Sequence, residues 1–551
     1  MTPSDPTPGR PREAAGPASG AGATALALEL PAALAASPSD LNFRTLASAW
    51  VLAVTALRLV WITALPLGNG EAYYVSWSRF LDWSYYDHPP LVAWLERLCA
   101  VLGSSAVAVR LGPVCCAALF GLLLYRLGER LAGPRAAFFA LVVVTALPVF
   151  MVSSFVINPE APLAPLWVAT LLAIEGMREG DEPWRPMLAG ALLGLAFLAK
   201  YTALLLVPSA LAYLALSPRS RRWLGRPSLY VGGLVALAVA MPVLAWNQAR
   251  GWPTLHLHLL ERNQAAAPVP GDNAFNDLVS TAAAGGSDLW PRLVRAVVGQ
   301  LLWYSPLLEP LLLLGLCVSA VRARRSDGDL FLAVFGFGAL VPLFVALVHV
   351  KDSEQHWTMV ATMIEAIALG KLADELRPRS RLFRWMLGGG LVLGGLLHLL
   401  LTIHIHTTAL IRAIPERWYE PRADIINELI GWDQVHAAVD RAVEATPGPV
   451  VLAGIQYALC GRLVFEMDDR PQVYCVTARR SEFDFLGRRH PPANATVIAV
   501  TNDARQILPA ELADRGCSVA DRVPITRGGR DVASYVLHRC PPLAAGTTAS
   551  R

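Results

Sequence analysis

Apolar runs separated by short polar connections fall near residues 45–66, 106–125, 136–153, 160–175, 187–199, 202–216, 228–246, 294–320, 330–350, 357–372 and 384–403. A helix needs about 20 apolar residues to cross the ~30 Å hydrocarbon core of a bilayer. The pattern therefore predicts a polytopic α-helical membrane protein with about eleven transmembrane helices. Beyond residue 404 the hydropathy falls and short alternating stretches appear: Val450–Ala453, Gln472–Val476, Thr496–Thr501 and Val532–Leu537 read as strands, Asp424–Ala445 as a helix. That alternation predicts a small C-terminal α/β domain. Residues 1–42, rich in Ala, Pro, Gly and Ser, lack a regular apolar face and read as a disordered tail. The expected organisation is thus a tail over 1–42, a membrane domain over 43–404 and an α/β domain over 405–551. The first apolar run lies too far from Met1 for a cleaved signal and reads as an anchor.

Charge adds an orientation. Arg clusters occupy alternate connections: Arg126, Arg130 and Arg135; Arg178 and Arg185; Arg219, Arg221, Arg222 and Arg226; Arg322, Arg324 and Arg325; Arg377, Arg379, Arg381 and Arg384. The positive-inside rule puts these, and the N-terminus, in the cytoplasm. The loop after the first span and, with an odd number of crossings, the α/β domain then lie outside. A formal net charge of only +4 beside 54% hydrophobic residues points to membrane topology and to no nucleic-acid partner. Between Arg185 and Arg219 about 30 helical residues would cover roughly 45 Å, short for two crossings, so short or broken helices are expected around Lys200 and Tyr201. No Gly-rich phosphate loop and no internal repeat is present, which leaves a nucleotide-driven motor without support. Of eight cysteines, Cys460, Cys475, Cys517 and Cys540 fall in the α/β domain, where export would permit any of three pairings. Buried free thiols are the alternative.

The candidate chemistry gathers on the outer face. The first external loop carries Gly70-Glu71-Ala72-Tyr73-Tyr74 and then Tyr85-Tyr86-Asp87-His88-Pro89-Pro90-Leu91. The Pro pair fixes φ and removes two amide donors, so the chain there is a stiff extended turn that presents Asp87 and His88. Glu160, in Asn158-Pro159-Glu160-Ala161-Pro162-Leu163, starts a span, where a carboxylate is costly unless it faces a cavity or a cation. Lys200 and Arg262 suit phosphate, Lys as a point charge and Arg as a fork. His258 with Asp87 offers imidazole and carboxylate to a divalent metal. Lys351, Asp352, Glu354, His356 and Trp357 form another external loop on this face. Structural alternatives stand beside each: helix capping for Glu71, Asp87 and Glu160, snorkelling for Lys200, plain surface positions for His256 and the last loop.

Taken in order, these blocks resemble the GT-C glycosyltransferases that use lipid-phosphate sugars, in particular the bacterial branch similar to dolichyl-phosphate-mannose protein mannosyltransferases. In the related aminoarabinose transferases an acid-Lys-Pro-Pro block stands where Asp87-His88-Pro89-Pro90 stands here. The resemblance implies a GT-C fold in a bacterial inner membrane with a periplasmic C-terminal domain. It implies transfer of a sugar from a polyprenyl-phosphate donor to a lipid, glycan or protein acceptor. It assigns Glu71, Asp87 and Glu160 as catalytic acids and Tyr74, Tyr86, His88, Lys200, Tyr201, Arg262, Lys351 and His356 as substrate-binding residues. Asp87 and His258 are the implied ligands of a divalent metal cation. Trp246-Asn247, Trp252, Tyr457 and Phe483-Asp484-Phe485 extend the likeness. The family has Asp where this chain has Gly70, so Glu71, one residue on, is the expected base, with Glu160 next. A non-catalytic lipid-sugar binding protein and a lipid or solute transporter are the rival readings; the latter predicts midplane charges and repeated halves.

Overall fold

Each of the apolar runs becomes helix in the structure, a computed structural model that describes residues 38–262, 289–350, 353–477, 479–502 and 508–543. The expected tail over 1–42 lies outside the described residues up to 37; from Pro38 the chain is already in the first helix, Pro38–Ala64. Among the described residues five helices are long and apolar enough to cross a membrane: Asn42–Ala64, Ala106–Ala132, Pro227–Ala249, Asp327–His349 and Arg381–His406. A sixth span results if Leu289–Tyr304 and Glu309–Arg322, bent by 100° across the break at residues 305–308, count as one. The other expected crossings are shorter helices, including Pro134–Ala146, Glu160–Gly176, Trp184–Ala199 and Met359–Leu376.

The short stretch after Arg185 breaks where length demanded it. Helix Trp184–Ala199 ends at Lys200, whose backbone is extended (φ −158°, ψ 140°), and the chain resumes as a tight turn over Tyr201–Leu205 and a helix over Leu206–Leu216. Gly190 and Gly194, four residues apart, let this helix lie directly on Pro227–Ala249: a Cβ on Gly190 would sit 1.9 Å from the Gly232 carbonyl oxygen. Small residues at that spacing allow backbone contact that larger side chains would block. The break thereby fixes Lys200 at the end of a rigid helix pair.

The C-terminal region folds around a five-stranded sheet. Strands β1 (Val450–Gly454), β2 (Val473–Cys475), β3 (Thr496–Asn502), β4 (Ser518–Arg527) and β5 (Arg530–Cys540) run in the order β2-β1-β3-β5-β4. The first three pair in parallel, and β3-β5-β4 are antiparallel. Disulfides Cys460–Cys475 and Cys517–Cys540 tie this domain, while Cys99, Cys115, Cys116 and Cys317 are free. Its core is shared with the first loop: Tyr73, Trp77 and Tyr85 pack with Leu459, Leu463, Phe483, Ile498 and Tyr535. Gly461 makes this possible, since a Cβ there would lie 2.5 Å from the Tyr73 Cα. Loop and domain are therefore one packing unit above the helices.

Candidate active site

Glu71 lies in the first turn of helix Asn69–Trp77, and its carboxylate is fully engaged. Oε2 accepts from the Gly68 amide at 2.8 Å, which caps the helix. Oε1 accepts from Arg110 Nε at 2.9 Å and from the Ile157 amide at 3.1 Å, and Arg110 Nη2 closes a second bond on Oε2. Arg110, wholly buried, spends its remaining donors on the carbonyls of Leu65 and Pro66. A carboxylate with four N–H donors, two of them from a forked guanidinium, is a structural joint. The structure thus gives Glu71 the capping role, and it faces Arg110 rather than the other expected acids.

Asp87 is placed differently. The helix that follows, Leu91–Cys99, has Pro90 at its N-cap and takes no side-chain cap, so Asp87 does not serve it. Stiffened by the Pro pair and by the Tyr85 amide bonded to the His88 carbonyl, the turn aims Asp87 upward. Its Oδ2 accepts from Tyr73 Oη at 2.7 Å, and its Oδ1 from Arg479 Nη2 at 3.3 Å. Tyr73 Oη in turn accepts from the Glu482 amide at 2.9 Å. Glu482 accepts from the Tyr86 amide at 2.8 Å, and burial, with Asp87 close by, pushes its carboxyl well above the usual range. Tyr86 Oη donates to Glu261 at 2.5 Å, from the π-turn Leu257–Glu261. Such turns favour functional positions because they displace side chains from the regular helical rows.

The third acid is held by Lys200 and His356. Glu160, 3% exposed, pairs with Lys200 and, at 2.9 Å, with His356 Nε2; His356 Nδ1 reaches Glu354 at 3.2 Å. The cap of helix Glu160–Gly176 is made by Asn158 Oδ1 on the Ala161 amide, which leaves Glu160 to hold cations. His88 lies beside Asp87 and near Glu160. Burial first, and then the charges of Lys200 and His258, keep its imidazole well below the usual pKa, hence neutral, and its Nδ1 is buried without a hydrogen-bond partner among the described residues. Tyr74 packs 6.0 Å from the His88 ring. Burial, followed by Asp87 and more weakly Glu160, raises its phenol. Tyr201 lies 5.6 Å from the His258 ring, and the Arg262 guanidinium lies 5.3 Å over Trp357.

The structure therefore brings Tyr74, Tyr86, Asp87, His88, Glu160, Lys200, Tyr201, His258, Arg262 and His356 to one neighbourhood, and Lys351 lies outside the described residues. Trp246 and Arg250 brace the loop from below through Asp82, at 2.7 and 2.9 Å. The metal pairing does not form as expected. His258 Nε2 meets the main-chain oxygen of Asp87 at 3.1 Å, while the carboxylate is held by Tyr73 and Arg479. Among the described residues no group of three or more His, Cys, Asp or Glu side chains is placed to hold a metal ion. Sequence reasoning missed Arg479 and Glu482, which come from the C-terminal domain; the one signal was the pair Arg479-Arg480 ahead of the aromatic Phe483 and Phe485.

A buried carboxylate, Glu160, held by Lys200 and His356 close to the Asp87 turn, between the C-terminal domain and the apolar helices, is the arrangement expected of the GT-C-like resemblance. The comparisons bear that resemblance out. Residues 87–246 match the family model described as dolichyl-phosphate-mannose-protein mannosyltransferase. A curated relative, the lipid A galacturonosyltransferase RgtD of Rhizobium johnstonii, is 33% identical over 202 residues, 36% of this chain and 42% of the relative. The match thus spans less than half of that relative's length. The crystal structure of ArnT from Cupriavidus metallidurans in the apo state superposes with a TM-score of 0.56 at 16% identity, covering 89% of this chain and 98% of that one, which establishes the shared fold.

Proposed function

We propose that this chain is a bacterial inner-membrane glycosyltransferase that moves a sugar from a polyprenyl-phosphate donor to an acceptor on the periplasmic face. The observation that carries this reading is one neighbourhood that joins a carboxylate, Asp87, to the cations Lys200 and Arg262, both of whose charges act on His88 beside it. Glycosyl transfer needs that polarity. The acceptor hydroxyl loses its proton to a carboxylate while its oxygen attacks the anomeric carbon. The bond from that carbon to the phosphate oxygen breaks, and the electron pair leaves with the polyprenyl phosphate. Asp87 is the base, oriented by Tyr73. Glu160 is a positioning residue that fixes Lys200 and His356, and Lys200 and Arg262 take the phosphate. The relative named above supports a lipid acceptor, and its galacturonosyl group adds an acidic hexose as the candidate sugar.

Purified protein in lipid vesicles, given polyprenyl-phosphate sugars labelled in the sugar, is expected to move label to a lipid A-type acceptor. Absence of transfer from every donor of the panel contradicts the reading. One observation favours the binding-protein alternative: Gly70 stands where the resembling family has Asp. A Cβ on Gly70 meets nothing within 4 Å, so Gly70→Asp is tolerated sterically. If only the Gly70→Asp variant turns over while the wild type merely binds donor, the binding reading is correct.

A further inference from the structure

Arg58 is a cation inside the helix bundle that lacks an anion among the described residues. In the first helix, Pro38–Ala64, it belongs to the inward stripe Ala47, Val51, Val54, Arg58 and Trp61, while Leu52 and Val60 on the other face are exposed. The side chain is 6% exposed and forms no hydrogen bond, ion pair or ring contact with any described residue. Its charge reaches His398 on helix Arg381–His406, a ring whose Nδ1 already meets the Gly394 carbonyl at 2.8 Å and which supplies no negative charge. Arg58 lines a narrow crevice between the first helix and helices Ala106–Ala132 and Glu160–Gly176. Glu160 lines the same crevice but is committed to Lys200 and His356. The remaining walls are mostly apolar, among them Val51, Ala117 and Phe120.

A charge at membrane depth is costly unless an opposite charge meets it, and one left over within a bundle marks a place for a ligand. The depth narrows the ligand. Arg58 stands six positions before Ala64, the end from which the Glu71 loop leaves, so its backbone lies about 9 Å below that end at 1.5 Å per residue. A long basic side chain at that level reaches the headgroup layer. One forked cation at headgroup depth, above apolar walls, suits an amphiphile with an anionic phosphate and a hydrocarbon chain.

We propose that this crevice binds an anionic membrane phospholipid, with its phosphate on Arg58 and one acyl chain against Val51 and Phe120. It is a second lipid site, separate from the donor phosphate on Lys200 and Arg262, and it stands whether or not the chain transfers sugar. Glu160 lines this site and holds Lys200 in the other, which makes the two neighbours.

The test titrates delipidated full-length protein in a neutral detergent with phosphatidylglycerol, with phosphatidylcholine of the same chains, with inorganic phosphate and with polyprenyl phosphate, reading affinity and Tm. A ligand bound only by the folded state raises Tm. Phosphatidylglycerol is expected to do so in wild type, and phosphatidylcholine and inorganic phosphate are not. Arg58→Gln weakens phosphatidylglycerol binding by roughly tenfold or more, the scale of one charge-assisted hydrogen bond, and Arg58→Lys retains part of it. Ala117→Met keeps the charge but fills the crevice; it is expected to weaken binding as well, and decides the matter if Arg58→Gln does not fold. Lys200→Gln weakens polyprenyl phosphate and leaves phosphatidylglycerol unchanged. Phosphatidylglycerol affinity that is unchanged in Arg58→Gln, or in Ala117→Met, overturns the proposal. So does equal binding of phosphatidylcholine, or an Arg58-dependent rise in Tm with inorganic phosphate alone. Polyprenyl phosphate that displaces phosphatidylglycerol and depends equally on Arg58 would make this the donor's own site, and the second site falls.

Discussion

Glu71 and Asp87 are both buried carboxylates of the same loop, yet they are built for opposite purposes. Glu71 is surrounded by four N–H donors and locked to Arg110, which makes it part of the frame. Asp87 accepts from one phenol and one long guanidinium contact, both supplied by groups that themselves belong to the site. The difference teaches that a carboxylate's role follows from the donors committed to it and where they come from. Nearness to a motif is a weaker guide.

The comparison breaks most directly at Asp87. Asp87→Asn keeps the shape and the Tyr73 contact, and is expected to lower transfer by about 10²- to 10⁴-fold with unchanged thermal stability. Label transfer beside an unfolding curve checks both halves. Glu71→Gln reverses the pattern. It leaves Arg110 buried with a weakened partner, so stability falls by about 3–5 kcal/mol, while turnover per folded molecule is preserved. Urea or thermal unfolding in detergent, paired with activity normalised to folded protein, decides the matter.

A smaller effect probes the packing that holds loop and domain together. Gly461→Ala puts a methyl group 2.5 Å from the Tyr73 Cα, against backbone that cannot rotate aside, and costs about 1–3 kcal/mol. Because Tyr73 orients Asp87, KM is expected to hold while kcat falls. The smallest effect is in pH. Burial, aided by Arg262, lowers the His258 imidazole to about 4, so its contribution to stability is present above the ordinary ~6.5 and is lost as pH falls through about 4. Relative to His258→Gln, wild type should lose about 1 kcal/mol by pH 5, allowing for the ring's partial exposure. Parallel pH curves for the two proteins would contradict that placement.

Much of the fold was legible because helix and strand signals are local. Four of the five strands were marked by apolar alternation, and the break at Lys200 followed from counting residues against span length. Strand β4 was hidden, since Asp521, Arg522 and Pro524 dilute the apolar pattern of an edge strand whose exposed positions need no hydrophobic residue. The helix expected over Asp424–Ala445 begins only at Trp432, because Gly431 adopts φ +79° and separates it from a short turn at Ile425–Glu428. Eleven apolar segments exist as helices or bent pairs, but length and polarity admit only five or six as full spans. At the site, the motif order grouped Glu71, Asp87 and Glu160 with Lys200; in the structure Asp87, Glu160 and Lys200 all lie near His88, while Glu71 is held apart by Arg110. It could not reveal Arg110, which meets Glu71 from 39 positions away, or Arg479, which meets Asp87 across 392. Such partners are set by tertiary packing, and no spacing rule reaches them.

The most direct measurement is an experimental structure with a non-transferable polyprenyl-phosphate sugar and an acceptor lipid bound. The account predicts the acceptor hydroxyl within hydrogen-bond reach of Asp87, the donor phosphate on Lys200 and Arg262, and Glu71 still joined to Arg110. An acceptor hydroxyl bonded to a Glu71 that has released Arg110, with Asp87 turned away from the sugar, would contradict it.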